Sequence, residues 1–335
     1  MSLLLVADIG GTNARFGLVE QAIGTNKINY IASKQVTLKC SEYPSMGSMI
    51  KACCTKLGID IPEYACLAIA GPIENGFAQM TNLEWKFSID ELREQLGMKT
   101  LHVINDFAAL AYATPFLQEN EIKTLYAANS NPEAPIVVMG PGTGFGMALL
   151  VPDDGHWKII PTEGGHASFA PTNEKEMAIK SFLMKEQAQV SVENILSGGG
   201  LVNIYRALAH IAGVEAQKFS PADVSTKGLA NEDALCREAV LTFCSVLGAV
   251  AGDKALSTGA RGGVVIGGGI TPKLMSLLPE SKFLKCYKNK GPMSGYVSDI
   301  SIKVIVNDTA ALVGSAAWLI HNTPVLRPKI PAQMG

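Results

Sequence analysis

The sequence has little charge and no surplus of either sign. Charged residues make up 17% of the 335 residues, and 28 Lys and Arg against 30 Asp and Glu leave a net charge of −2. A protein that binds nucleic acid through phosphates needs an excess of basic residues, so this balance argues against such a partner. The hydrophobic share of 47% excludes a disordered chain. The length is between two and three times that of a typical domain.

Paired metal-binding cysteines are also absent. The seven cysteines are scattered, and the sequence contains no CxxC. An odd, irregularly spaced set is typical of free thiols in a reducing compartment. We therefore expect a cytoplasmic protein whose cysteines are ordinary buried residues.

An uninterrupted apolar run long enough to cross a membrane is missing as well. The stretch from Ala134 to Pro152 is uncharged, but four glycines and Pro141 interrupt it. The opening MSLLLVADIGG has an apolar run of only five residues and no basic region before it, unlike a signal peptide. We expect a soluble protein and no membrane partner.

Two glycine-rich turns recur in similar surroundings. The first, Gly10-Gly11-Thr12-Asn13, lies between two apolar runs and begins two residues after Asp8. The second, Gly142-Thr143-Gly144, lies between two further apolar runs. Small residues let backbone N–H groups approach a phosphate closely. Asp8 would repel a phosphate unless Mg²⁺ lies between them. Each turn alone is as well explained by an ordinary hairpin as by a phosphate site. The repetition of the pattern is what favours phosphate binding.

Three further places combine polar or small residues with the end of a predicted element. Asn105-Asp106 follows a buried strand and opens a helix, where α/β proteins place their chemistry, although an Asp there is more commonly a helix N-cap. Gly267-Gly268-Gly269 follows another strand and has room for a flat ligand or for close packing. Glu163 and His166 flank two glycines, and Glu193 alone would pass for a surface carboxylate.

Predicted strands and helices alternate along the chain, which indicates an α/β fold. Near the C-terminal end we predict Thr271 as the N-cap of a helix with Pro272 as its first residue, and Asp308 as the cap of a final apolar helix ending near Ile320.

Together these residues resemble the bacterial glucokinase family, within the fold shared by sugar kinases, actin and heat-shock chaperone ATPases. The matching motifs span essentially the whole chain. They are Asp8-Ile-Gly-Gly-Thr-Asn-Ala-Arg15, Met80-Thr-Asn-x-x-Trp85, Ile104-Asn-Asp-Phe107, Gly142-Thr-Gly-x-Gly146, Glu163-Gly-Gly-His166 and Leu196-Ser-Gly198.

The resemblance implies a two-domain, actin-like ATPase (ribonuclease-H-like) α/β fold. Residues 1–110 with 307–335 would form a small domain, and residues 111–306 a large one, with the ligand cleft between them. A related repressor and sugar-kinase branch carries a Cys-rich zinc motif after its Glu-x-x-Gly-His element. No such motif follows His166, so we expect no structural zinc.

The same resemblance implies phosphorylation of glucose at its 6-hydroxyl by ATP and Mg²⁺, in a protein that is often a homodimer. Asp106 would act as the base and Asp8 would hold Mg²⁺ through water. The glucose ligands would be Asn105, Asp106, Glu163, His166 and Glu193. The ATP-binding residues would be Gly10, Gly11, Thr12, Asn13, Gly142, Thr143, Gly144, Gly267, Gly268 and Gly269.

Other functions remain open from the sequence alone. The same fold could phosphorylate another hexose or form an acyl phosphate, or it could sense a sugar without turnover. A sensor would be indicated by loss of Asp106, Asp8 or the glycine turns, and all of these are present. A chaperone-like or filament-forming ATPase would need a further domain, for which this length leaves little room.

Overall fold

The chain folds into two units, and the computed structural model describes residues 2–21, 29–80, 83 and 85–327. One unit holds the chain up to Gln118 and again from Asn307 onward, and the other holds Glu119–Val306. The first division lies beyond the predicted boundary at 110/111, because one continuous helix crosses position 110. Thr81 and Asn82 of one family motif, and residues 328–335, lie outside the described residues.

The first unit combines a main sheet with a small meander and helices. Its strands are β1 (Ser2–Ile9), β2 (Asn13–Gln21), β3 (Lys34–Lys39), β4 (Tyr64–Ile69), β5 (Ile73–Glu74), β6 (Phe77–Gln79), β7 (Lys86–Ser88) and β8 (Thr100–Asn105). Its first three helices are α1 (Met46–Leu57), α2 (Ile89–Gln95) and α3 (Asp106–Ala113).

The second unit has one sheet and a larger set of helices. Its strands are β9 (Ile122–Tyr126), β10 (Ile136–Pro141), β11 (Phe145–Asp153), β12 (His156–Thr162), β13 (Gly263–Ile266) and β14 (Ile302–Ile305). Its helices are α4 (Glu174–Leu183), α5 (Gly198–Ile211), α6 (Pro221–Ala230), α7 (Ala234–Thr258), α8 (Thr271–Leu274), α9 (Phe283–Lys288) and α10 (Ser294–Ser298). The chain then returns to the first unit in α11 (Ala310–Asn322).

The two main sheets share one strand arrangement. In the first, the order is β3-β2-β1-β4-β8, with β1, β2 and β3 antiparallel and β1, β4 and β8 parallel. In the second, β12-β11-β10-β13-β14 repeats both the order and the directions, and β9 adds an antiparallel edge strand. The repeated hairpin seen in the sequence therefore belongs to a repeat of the whole sheet.

Both faces of the first sheet are buried, as the uninterrupted apolar run of β1 predicts. Leu5, Ala7 and Ile9 join the cluster that α1 and α2 complete, whereas Leu4 and Val6 join the cluster that α11 completes. Because successive side chains of a strand point to opposite faces, β1 connects the two cores of the unit.

Helix α11 approaches α3 at the distance of its backbone. A Cβ built on Gly314 would lie 1.8 Å from the carbonyl oxygen of Ala109, so no side chain fits at this crossing. The glycine thus allows α11 to support the helix whose first residue is Asp106.

Two predicted helix starts are wrong. Thr271 is the first residue of α8 rather than its cap, and Ile270 precedes it without a side-chain cap. Asp308 does not cap α11: Thr309 is the N-cap residue and has no side-chain cap hydrogen bond, and the Asp308 carboxylate pairs with Arg15. At Thr271 the helix is short, and at Asp308 a tertiary contact competes, so the local capping signal is overridden in both cases.

Among the described residues, α7 is the helix whose length and apolar composition would suffice to span a bilayer. Two thirds of its most apolar window, 67%, is buried within the structure. The interrupted stretch from Ala134 to Pro152 forms the hairpin of β10 and β11, as predicted.

Candidate active site

The first glycine turn joins β1 to β2. The N–H of Gly10 donates to the carbonyl of Asn13 at 3.0 Å, which closes the turn, and the N–H of Cys40 donates to the carbonyl of Thr12 at 2.9 Å. The turn is therefore tied to β3 and to the short 3₁₀ helix Cys40–Glu42 that follows it. Gly11 and Thr12 form the tip between these attachments.

Asp8 lies on β1 directly before this turn and faces Arg15 across the hairpin. Burial raises the pKa of the Asp8 carboxyl, and the positive charge of Arg15 only partly offsets this. Arg15 itself donates to the backbone carbonyl and the carboxylate of Asp308. The hairpin therefore holds a carboxylate whose surroundings favour an additional cation.

Asn105 and Asp106 occupy the junction of β8 and α3. Asn105 is the N-cap, and its side-chain oxygen accepts the N–H groups of Phe107 at 2.9 Å and Ala108 at 3.2 Å. Asp106 is the first helical residue. The N-cap position, where such an aspartate is commonly found, is occupied by its neighbour Asn105. Its Oδ1 also accepts the N–H of Phe107 at 2.9 Å. Both side chains are thereby held at the start of a helix, where a negative charge is stabilised.

The hairpin and the Asp106 junction lie at the same edge of the first sheet. Asp8 and Ile104 each pair with Ala68 on the intervening strand β4. Because neighbouring strands are about 4.8 Å apart, the backbones at Asp8 and Ile104 are separated by about 10 Å. The structure thus brings together the residues predicted in this unit: Asp8, Gly10, Gly11, Thr12, Asn13, Asn105 and Asp106.

The second glycine turn joins β10 to β11. The N–H of Gly142 donates to the carbonyl of Gly144 at 2.8 Å, and the carbonyl of Gly142 accepts the N–H of Gly198 at 3.0 Å. Gly198 is the first residue of α5, so a helix N-terminus adjoins the turn that carries Thr143. The position of this helix beside the turn has no signal in the local sequence. A helix N-terminus favours an anion, as a phosphate site requires.

Glu193 is attached to this same hairpin. One of its carboxylate oxygens accepts the N–H of Phe145 at 2.7 Å. A Cβ on Gly144 would lie 2.4 Å from that oxygen, so the glycine leaves the space that the carboxylate occupies. Glu193 is half-buried and specifically held, unlike a surface carboxylate.

The Glu163–His166 segment connects to Glu193 through its glycines. The N–H of Glu193 donates to the carbonyl of Gly165 at 3.0 Å. A Cβ on Gly165 would lie 2.1 Å from the carbonyl of Phe145, so this segment passes directly over the start of β11. The exposed side chains of Glu163 and His166 are 3.9 Å apart between Oε2 and Nε2. The three polar side chains predicted in this unit are therefore gathered around one hairpin.

The glycines after β13 pack against β10. Gly267 donates its N–H to the carbonyl of Met139 at 2.8 Å. Gly268 has φ +81°, and a Cβ there would lie 2.3 Å from the carbonyl of Pro141. Gly269 has open space beside it. Close packing therefore accounts for Gly268, whereas Gly269 has room for a ligand.

The resemblance implies that Glu193 is a glucose ligand, so we expect Gly144→Ala to weaken glucose binding, because the new methyl group must displace the Glu193 carboxylate from the Phe145 N–H. Loss of one charged hydrogen bond corresponds to about a 10-fold or larger rise in the dissociation constant. Calorimetric titration with glucose, in the absence of nucleotide, measures this dissociation constant. Gly142→Ala is the matched variant, because its Cβ has no neighbour within 4 Å. Equal glucose affinities for the two variants would contradict the role assigned to Gly144.

Comparisons with known proteins agree on one family. The glucokinase family model matches residues 5–322. A curated glucokinase from Chromobacterium violaceum is 42% identical, over 98% of this chain and 94% of its own length. The crystal structure of a glucokinase from an Antarctic psychrotroph is 38% identical, with a TM-score of 0.83, and the match covers 96% of this chain and 100% of that one.

A more distant structure shows the same fold. The glucokinase from Balamuthia mandrillaris, solved in complex with glucose, is 20% identical with a TM-score of 0.78, over 95% of this chain and 93% of that one. Together with the repeated sheet order, these matches confirm the predicted two-domain α/β, actin-like ATPase fold.

Proposed function

The chain belongs to the glucokinase family, and from this premise we propose that it transfers the γ-phosphoryl group of ATP to the 6-hydroxyl of glucose. The products are glucose 6-phosphate and ADP. The observation that supports this best is the placement of Asp106 and the first glycine hairpin at the same sheet edge, where the backbones of Asp8 and Ile104 lie about 10 Å apart across one strand. That separation leaves room for a phosphoryl group and a sugar hydroxyl between the two.

Asp106 accepts the proton of the 6-hydroxyl as its oxygen attacks the γ-phosphorus. The position at the start of α3 and the hydrogen bond from the Phe107 N–H orient the carboxylate. Phosphoryl transfer has a loose transition state that depends mainly on positioning and charge stabilisation. Asp106 therefore orients the hydroxyl at least as much as it deprotonates it.

Glucose is bound by side chains that offer both donors and acceptors. The side-chain oxygen of Asn105 is used in capping α3, so its amide N–H groups face the sugar hydroxyls. Glu163 and Glu193 accept hydroxyl protons, and His166 can donate or accept. A sugar lacking a matching hydroxyl would leave these groups unpaired, which provides selectivity.

Each glycine turn offers donors for the phosphates of ATP within its own unit. The Gly10 and Gly142 N–H groups close their own turns, so the donors are the backbone N–H groups of Gly11, Thr12 and Asn13 in the first turn and of Thr143 and Gly144 in the second. Thr12 and Thr143 add hydroxyl donors. The start of α5 adds a favourable dipole beside the second turn. Gly267–Gly269 face the adenosine, with Gly269 providing the open surface.

The donor set suits a Mg²⁺ ion that arrives with ATP. Among the described residues no three His, Cys, Asp or Glu side chains are grouped as a metal site. Asp8 is a single, partly buried carboxylate whose pKa is raised by desolvation and only partly lowered again by the charge of Arg15. Mg²⁺ commonly binds one or two carboxylates while it keeps several waters and contacts substrate phosphates. Asp8 would hold the ion through such a water, and the ion would neutralise charge on the phosphates.

A hexose panel tests the proposed function. Purified protein is assayed with ATP and Mg²⁺ against glucose, mannose, glucosamine and fructose, with ADP release coupled to NADH oxidation. We expect the highest kcat/KM with glucose. A higher value with another hexose assigns a different sugar kinase, and glucose binding without turnover indicates a sugar sensor.

Two accompanying expectations concern the state of the protein in the cell. We propose a cytoplasmic location, since all seven cysteines are free thiols and only Cys286 is not fully buried. We also propose a homodimer, which sedimentation analysis of the purified chain measures directly.

A further inference from the structure

We propose that Cys40 positions the first phosphate-binding turn by holding its two carbonyl groups, so that the turn presents its N–H groups to ATP. This inference rests on the proposed function. Cys40 contacts no substrate in this proposal. It acts through Gly10 and Thr12, and none of the family motifs in the sequence contains it.

Two hydrogen bonds from one residue carry the argument. The Cys40 thiol donates to the carbonyl of Gly10 with Sγ and oxygen 3.4 Å apart. The backbone N–H of Cys40 donates to the carbonyl of Thr12 at 2.9 Å. Both carbonyls of the turn are thus directed toward the 3₁₀ helix that begins at Cys40.

Peptide geometry relates the direction of each held carbonyl to the direction of the N–H group that follows it. Each peptide bond in the turn is trans, so a carbonyl and the following N–H point in opposite directions. Holding the Gly10 carbonyl toward Cys40 directs the Gly11 N–H away from it. Holding the Thr12 carbonyl does the same for the Asn13 N–H. The Gly11 and Asn13 N–H groups then both point away from Cys40, where they can donate to one anion.

The state of the thiol agrees with this role. Cys40 is fully buried, and burial raises the pKa of its thiol, so the proton needed for donation is retained at neutral pH. Gly10 has no side chain that could supply a substitute contact, and its own N–H is already used within the turn. The thiol is therefore the group that fixes the Gly10–Gly11 peptide from outside the hairpin.

Three substitutions separate hydrogen bonding from packing. Cys40→Ala removes both the donor and volume, Cys40→Val removes the donor but fills the space, and Cys40→Ser retains a donor. The control is Cys53→Ala, because Cys53 is equally buried in the same core cluster and lies on α1. Steady-state kinetics gives KM for ATP and for glucose separately.

We expect Cys40→Ala and Cys40→Val to raise KM for ATP by about 3- to 10-fold, the range of one modest hydrogen bond. KM for glucose should change less than 2-fold, and Cys40→Ser and Cys53→Ala should keep KM for ATP near the wild-type value. If KM for ATP rises in Cys40→Ala but not in Cys40→Val, side-chain volume alone matters, and the proposal is overturned. So would equal effects of Cys40→Ala and Cys53→Ala.

The proposal is also testable where Cys40→Ala does not fold, because the comparison of Cys40→Ser with Cys40→Val then decides it. A wild type without glucose phosphorylation contradicts the proposed function. An active wild type whose Cys40→Val variant has an unchanged KM for ATP contradicts only the positioning role.

Discussion

Substitution of Asp106 by Asn should lower kcat for glucose phosphorylation by about 10²- to 10⁴-fold, the range for loss of one general base. The side-chain oxygen of Asn can still accept the Phe107 N–H that Asp106 accepts in the native protein. The start of α3 should therefore remain intact, and the loss should come from the missing charge. Coupled kinetics measures kcat, and calorimetry should show a smaller change in glucose affinity.

A second aspartate near a helix start provides the control. Asp90 lies in the first turn of α2 with 84% of its side chain exposed. Asp90→Asn removes a comparable charge from a helix N-terminus in the same unit, and we expect unchanged turnover. Full activity of Asp106→Asn would exclude Asp106 as the base.

Substitution of Asp8 by Asn should have opposite effects on activity and stability. Activity should fall by about 10²- to 10³-fold, because charge stabilisation at the phosphates is lost. The unfolding temperature at neutral pH should rise, since burial opposes the ionised form of this carboxyl. Scanning calorimetry without nucleotide, together with activity as a function of Mg²⁺ concentration, measures both effects.

The pH dependence of the Asp8 effect has a definite sign. The folded-state pKa of Asp8 is raised above its ordinary value. The folded protein therefore binds the proton more tightly than the unfolded chain does, and stability falls as pH rises from the unfolded to the folded pKa. The rise in unfolding temperature caused by Asp8→Asn should be present at neutral pH. It should disappear in acid, below the pKa of Asp8 in the unfolded chain.

Glu20→Gln is the matched charge removal for Asp8. Glu20 lies exposed near the far end of β2 in the same hairpin, so its loss should change neither the unfolding temperature nor turnover. A lower unfolding temperature for Asp8→Asn would mean that the carboxylate stabilises the hairpin and would contradict the interpretation of its raised pKa.

Local signals were sufficient for much of the fold. The Gly-Gly turn between apolar runs predicted the β1–β2 hairpin. Where a tertiary contact competes, prediction was wrong: Asp308 has the type and position of a helix cap, yet it pairs with Arg15, 293 residues away in sequence. The sheet-wide repeat was visible in the sequence only at its two hairpins, because strand order depends on pairings between distant segments.

The candidate site was predicted as residue types but not as contacts. The identity of Asn105-Asp106 after a buried strand was enough to place it at a sheet edge. The hydrogen bond from Phe145 to Glu193 spans 48 residues and has no local signature. The role of Cys40 was equally hidden, since the cysteine is an ordinary buried residue by composition and only its distance to Gly10 distinguishes it.

The return of the chain to its first unit has a consequence for synthesis on the ribosome. Residues 119–306 form a continuous unit, whereas the first sheet receives α11 only after that unit has been made. Domains usually fold in the order of translation. Here the later segment can reach its native state first, while the apolar face formed by Leu4 and Val6 waits without its covering helix. Nascent chains halted before α11 should accordingly depend on chaperones for their N-terminal half.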